Sequence, residues 1–184
     1  MTQREESFRK HERFESGRDD GTNRPGEYTH QDVAEAQEHP ITIRTTTEDV
    51  LDDEDALRAF GAAFARTLEP GDVVALRGDL GAGKTTFVRA VVAALHGSDD
   101  AVSSPTFVFR QRYDGTPLVE HLDLYRIDDA AAELPELGLD EAFADDRITF
   151  VEWPDRADGL LPSAAIEVAI AGSGPGSRRV RVRR

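Results

Sequence analysis

The chain is 184 residues long, room for one domain plus an appendage, and it contains no cysteine. That excludes disulfides and thiolate metal sites, and its five histidines are scattered along the sequence. A net charge of −14, from 22 basic and 36 acidic residues, opposes non-specific nucleic-acid binding over most of the surface and fits a solvated acidic exterior suited to a salty cytoplasm.

Met1 to Glu6 has no apolar stretch of the secretory type, and no apolar run approaches the roughly 18 residues of a membrane span. A cytoplasmic location without membrane contact is expected. Residues 1–40 hold one large aliphatic residue, Val33, among sixteen charged ones. Such a segment buries too little apolar surface to offset its ordering entropy, so it reads as a disordered acidic tail before a domain at 41–184. A partner-binding motif on Phe8, Phe14 or Tyr28 is the alternative for that tail.

Ile41 to Thr45 alternates like a strand. Asp53 to Leu68 has Leu57, Phe60, Phe64 and Leu68 at helical spacing. After the Pro70-Gly71 turn, Val73 to Leu76 is a short apolar run of buried-strand type. It leads into Gly78-Asp79-Leu80-Gly81-Ala82-Gly83-Lys84-Thr85-Thr86. This stretch fits G-x-x-x-x-G-K-[ST], the phosphate loop of P-loop NTPases. Its glycines let backbone N–H groups line an anion-sized hollow. Lys84 supplies a point charge for terminal phosphates, and the Thr85 hydroxyl can ligate Mg²⁺. Thr86 to Leu95 follows with helical periodicity, so a helix N-terminus faces the same hollow. A Gly-rich turn that binds nothing is the alternative. It is disfavoured because Lys84 is one of two lysines in the chain, the other being Lys10.

Beyond a polar stop at 96–100, Phe107 to Tyr113 alternates as a strand, Asp114-Gly115 signals a hairpin, and Pro117 to Asp123 reads as the return strand. A hairpin does not belong in a purely parallel sheet, so an α/β domain with a mixed sheet flanked by helices is predicted. Ala130 to Ala144 is helix-rich, broken at Pro135 and Gly138. Ile148 to Glu152 is a buried-strand pattern ending in a carboxylate, the position where nucleotide-binding sheets place metal-handling groups. Ile166 to Ile170 and Arg179 to Arg183 complete the strands, the latter read as a charged edge. Its arginines touching nucleic-acid phosphates is the other possibility.

Glu152 and Asp123 stand at strand ends as candidate metal and water-handling carboxylates, and each has a capping or pairing role as its alternative. Thr106 follows a proline in a loop and is a candidate switch threonine. His121 is assigned a structural role. A guanine-specific GTPase would need an N-K-x-D reader and a D-x-x-G switch, and neither is present, which favours ATP.

These segments together resemble the TsaE (YjeE) family, the P-loop ATPases of tRNA threonylcarbamoyladenosine biosynthesis. The resemblance rests on the phosphate loop with Pro70-Gly71-Asp72 before it, and on Ser104-Pro105-Thr106-Phe107. It rests equally on His121-Leu122-Asp123-Leu124-Tyr125-Arg126, Glu136 to Glu141, and Val151-Glu152-Trp153-Pro154. It implies a small ATPase using Mg²⁺ that works with TsaB-type and TsaD-type partners. The TsaD-type protein transfers a threonylcarbamoyl group to tRNA adenosine, so tRNA is met only through the complex. It also implies that Asp79 to Thr86 bind ATP, with Thr85, Glu152 and Asp123 at the metal. Thr106 then acts as the switch, Trp153 lies beside the nucleotide, and Thr47 and Arg178 flank it. Two other functions compete: a small-molecule P-loop kinase, which would need a lid arginine from Arg110, Arg112 or Arg126, and an ATP-dependent binding module.

Overall fold

A computed structural model describes residues 45–136, 138–157, 159–172 and 176–184; the tail at 1–40 and most of the strand expected at 41–45 lie outside the described residues. Seven strands among the described residues form one mixed sheet: β1 Thr46–Leu51, β2 Val73–Arg77, β3 Arg110–Tyr113, β4 Leu118–Asp123, β5 Arg147–Glu152, β6 Ile166–Gly172 and β7 Arg178–Arg183. Their order is β1-β7-β6-β2-β5-β4-β3. The central block β6-β2-β5-β4 is parallel, while β1, β7 and β3 pair antiparallel at its two sides.

β2 sits in the middle and is buried on both faces, which explains its unbroken apolar sequence. Helix α1, Glu54–Ala65, starts where the Asp53 carboxylate accepts from the Ala56 N–H at 2.8 Å, and Glu54 and Asp55 complement its dipole. Helix α2, Lys84–His96, springs directly from the loop after β2 and stops at Gly97, whose φ of 81° suits the left-handed cap. The two helices pack together on one sheet face. Phe87 of α2 is fully buried against Phe64, ring centroids 5.3 Å apart, and Gly61 lets the backbones close, since a Cβ there would stand 2.9 Å from Ala90 Cβ.

The other face is covered over β4, β5 and β2 by two short helices, α3 Ala130–Glu136 and α4 Leu139–Ala142, and a 3-10 turn at Pro154–Ala157. Pro135 lies inside α3 rather than ending it, and the break comes at Gly138, φ 64°. Beneath these helices Glu120 is wholly buried on β4. Arg110 holds it with two bonds of 3.0 and 2.9 Å, and Arg147 adds one of 3.3 Å. The Glu120 bond raises the Arg110 guanidinium above its ordinary range.

Two sequence expectations need correction. Phe107 to Phe109 is a turn, not strand: Val108 and Phe109 donate to the Pro105 carbonyl, and Phe107 is 82% exposed. Nor is β7 an edge strand; β1 covers that side, and Arg181 reaches across to Glu48 at 2.6 and 2.9 Å. That hydrogen bond draws the exposed Glu48 carboxyl below its usual range. Among the described residues no helix is long and apolar enough to cross a membrane.

Candidate functional site

Parallel strands β2, β5 and β4 end side by side, with Leu76 opposite Glu152 and Glu152 opposite Asp123. The crevice at the carboxyl ends of such strands is where open α/β sheets take ligands. Here it is a cavity of about 230 Å³ lined by Leu80, Gly81 and Gly83 to Thr86 from the loop and α2. Ser104, Thr106, Asp123, Tyr125, Glu152 and Trp153 close the other side.

The loop wraps as its glycines predict. Gly78 has φ 149° and a Cβ there would lie 2.3 Å from the Ile170 carbonyl; Gly83 has φ 109° and a Cβ would meet Leu57 at 2.7 Å. A side chain is therefore excluded at both places, by the β6 backbone at Gly78 and by α1 at Gly83, and of the two Gly83 lines the cavity. Lys84 is buried and folds over the loop, donating to the carbonyls of Gly78 at 2.8 Å and Asp79 at 3.1 Å. Its Nζ lies 4.4 Å from the centre of the Trp153 ring. Trp153 takes φ 59°, a left-handed conformation rare for a bulky residue, directly after Glu152, and its ring also meets Tyr125 at 5.0 Å.

Glu152 is buried with three partners. Its Oε1 accepts from the Thr85 hydroxyl at 2.9 Å and lies 3.0 Å from His121 Nε2, while its Oε2 is 3.9 Å from Lys84 Nζ. A hydroxyl and a carboxylate so placed are a donor set for a hard divalent cation. Asp123, also buried, holds a second set: its Oδ1 accepts from the Tyr125 N–H at 2.9 Å, and its Oδ2 accepts from the Thr106 hydroxyl. Ser104 Oγ is 2.7 Å from Thr106 Oγ1 and 3.5 Å from the same carboxylate.

The cavity thus gathers Leu80, Gly81, Gly83, Lys84, Thr85, Thr86, Thr106, Asp123, Glu152 and Trp153 from the expected residues. Asp79 and Ala82 form the loop's backbone turn, Ala82 N donating to Asp79 O at 3.1 Å. Arg178 braces the loop from behind, its Nε donating to the Ala82 carbonyl at 2.8 Å, and does not line the cavity. Thr47 stands apart, in a groove with Phe60, Phe64, Thr67, Val182 and Arg184. On β1 it is four residues from Leu51, the residue that faces Arg178.

Two lining residues, Ser104 and Tyr125, are not among the expected site residues, and His121, expected to be structural, stands against Glu152. The alternation His121-Leu122-Asp123 is the one available signal, because it puts His121 on the face of Asp123.

Comparison with known proteins identifies the family. The family model described as threonylcarbamoyl adenosine biosynthesis protein TsaE matches residues 51–180. A TsaE protein of Rickettsia bellii is 40% identical over 124 residues, 66% of this chain and 84% of that one. The Bacillus subtilis TsaE protein is 40% identical over 126 residues, 68% of this chain and 75% of the relative. The crystal structure of Bacillus subtilis YdiB superimposes with a TM-score of 0.62 at 27% identity, covering 77% of this chain and 86% of that one.

Proposed function

The chain belongs to the TsaE family of tRNA threonylcarbamoyladenosine biosynthesis proteins, and from that premise we propose that it is a cytoplasmic ATPase whose ATP binding and hydrolysis sustain threonylcarbamoyl transfer to tRNA by TsaD-type and TsaB-type partners. The observation that carries the proposal is the bonded cluster Thr85–Glu152–Lys84 at the mouth of the glycine loop.

The residues divide the work. Loop N–H groups from Gly81 to Thr86 and the α2 N-terminus cradle the phosphates. Lys84 exchanges the Gly78 and Asp79 carbonyls for terminal phosphate oxygens. Thr85 and Glu152 would hold Mg²⁺, which would supply charge neutralisation for the phosphates. Among the described residues no cluster of three or more acidic or histidine side chains cages a metal. Thr106, tethered to Asp123, would sense the γ-phosphate. Glu152 and Asp123 are the groups able to orient the attacking water and accept its proton.

The kinase reading needs a mobile arginine. Arg110 is committed to buried Glu120 on the opposite sheet face, and Arg126 stacks on exposed Phe107 at 5.4 Å. Incubation with ATP and Mg²⁺, with and without the partners and small acceptors, tests the proposal. Free phosphate whose release supports repeated tRNA modification is expected; a phosphorylated acceptor instead would make the protein a kinase. Nucleotide-dependent partner binding without hydrolysis would leave only a binding module.

A further inference from the structure

One buried group near the site has no part in that chemistry. His121 is fully buried on β4, two residues before Asp123 and on the same face. Its Nε2 lies 3.0 Å from Glu152 Oε1, and its Nδ1 lies 3.2 Å from the Tyr113 hydroxyl. An ionised carboxylate only accepts, so the proton of the first contact sits on Nε2. In the neutral ring Nδ1 then accepts the Tyr113 O–H. In the imidazolium the Tyr113 oxygen accepts instead, and its proton turns to Gln111 Oε1 at 3.2 Å or the Ser103 carbonyl at 3.4 Å. Both states keep the Nε2–H aimed at Glu152.

We infer that His121 is a positioning residue for Glu152, braced by Tyr113. Thr85 and His121 both donate to Oε1, which stops rotation of the carboxylate and leaves Oε2 as the oxygen on the Lys84 side. The brace extends to the segment carrying Thr106: Gln111 accepts from Ser103 Oγ at 3.1 Å and donates to the Ala101 carbonyl at 3.1 Å. Where the Tyr113 proton turns to Gln111, one chain of hydrogen bonds ties the carboxylate to the segment that leads to Thr106.

The kinetic part of this inference rests on the ATPase reading; the spectroscopic part does not. His121→Gln keeps an N–H able to reach Oε1, whereas His121→Leu removes it and Tyr113→Phe removes only the brace. Misplacing a reacting group by about an ångström costs on the order of 10²-fold in rate, so His121→Leu is expected to lower kcat by about that factor. His121→Gln should stay within roughly tenfold of the parent and Tyr113→Phe should fall between the two. KM for ATP should change less than about threefold in all three, the signature of lost transition-state positioning. Equal kcat losses in the Leu and Gln variants, or a raised KM at unchanged kcat, would overturn the inference. If His121→Leu does not fold, His121→Asn, whose amide falls short of Oε1, replaces it. Nitrogen-15 spectra of histidine-labelled protein, assigned by the signal missing in His121→Gln, should show a protonated Nε2 that shifts in Glu152→Gln. A ring protonated on Nδ1 alone refutes the placement. A parent that hydrolyses no ATP would sink the ATPase reading, and the nitrogen spectrum would still decide His121.

Discussion

Glu152→Gln is the substitution that separates binding from chemistry at this site. The amide keeps an oxygen for the Thr85 and His121 donors, now at 2.9 and 3.0 Å, and replaces Oε2 with an NH₂ facing Lys84. At 3.9 Å, the Lys84–Glu152 attraction amounts to about 4 kcal/mol with an effective dielectric constant near 20. Much of that is offset by the desolvation of two buried charges, so the net stability change depends on how well the lone Lys84 is satisfied. The Gly78 and Asp79 carbonyls already accept two of its protons, which limits the loss to the low end of the roughly 3–5 kcal/mol typical of a broken buried pair.

Bound nucleotide changes this balance. Phosphate takes over the neutralisation of Lys84, and one negative charge fewer stands beside the triphosphate. ATP affinity is therefore expected to hold within about tenfold, or to rise, with Mg²⁺ still resting on Thr85 and phosphate. Turnover should fall by roughly 10²–10⁴, the usual loss for a water-orienting or general-base group, or about 3–5 kcal/mol in the barrier. The assay pairs single-turnover hydrolysis with a calorimetric titration of the same variant. Hydrolysis near the parent rate refutes the role and moves it to Asp123. A variant that binds no ATP makes Glu152 a metal ligand on which binding itself depends.

Lys84→Ala should abolish tight ATP binding and also lower stability by a few kcal/mol, because it strips the buried Glu152 of its cation. Chemical denaturation of the Lys84→Ala/Glu152→Gln double variant should show a smaller loss than the sum of the singles; strict additivity would mean the pair is not coupled. Trp153, the one tryptophan, lines the cavity 4.4 Å from Lys84 Nζ, so its emission should change and saturate with Mg²⁺-ATP. Calorimetric binding with flat emission would put the nucleotide elsewhere. Burial raises the Tyr113 phenol to about 12, so it should ionise well above the ordinary phenol range in an alkaline absorbance titration. The sign follows from the neutral phenol being favoured inside: this contribution to stability is complete below the ordinary tyrosine range near pH 10 and is lost as pH rises toward 12. A Tyr113 signal titrating near pH 10 would contradict its burial.

What could be read ahead of the structure follows from how local each signal is. The glycine loop was legible because its signal is local: the glycines turn the backbone, and Lys84 and Thr85 follow directly at the start of α2, lining the same cavity. Glu152 was legible because a buried strand that ends in a carboxylate is costly without a function for it. The Phe107 to Phe109 stretch misled because alternation describes which residues are apolar and not what they pack against. There the Thr106–Asp123 bond and the donation of Asp123 N to Phe109 O at 2.9 Å hold the chain in a turn, and two apolar side chains are left in solvent. Thr47 and Arg178 depend on strand register. The β1–β7 pairing sets Leu51, and not Thr47, opposite Arg178, and no pattern within either strand encodes that offset. His121 is the sharpest case. Its partner is 31 residues away, and their meeting requires β4 and β5 to align in parallel with Asp123 opposite Glu152. Alternation then leaves His121 and Glu152 diagonal on one face, close enough for a direct bond. The same register that assembles the two carboxylates thus also delivers the ring that holds one of them, so a shift of β4 by two residues would cost the site both groups at once.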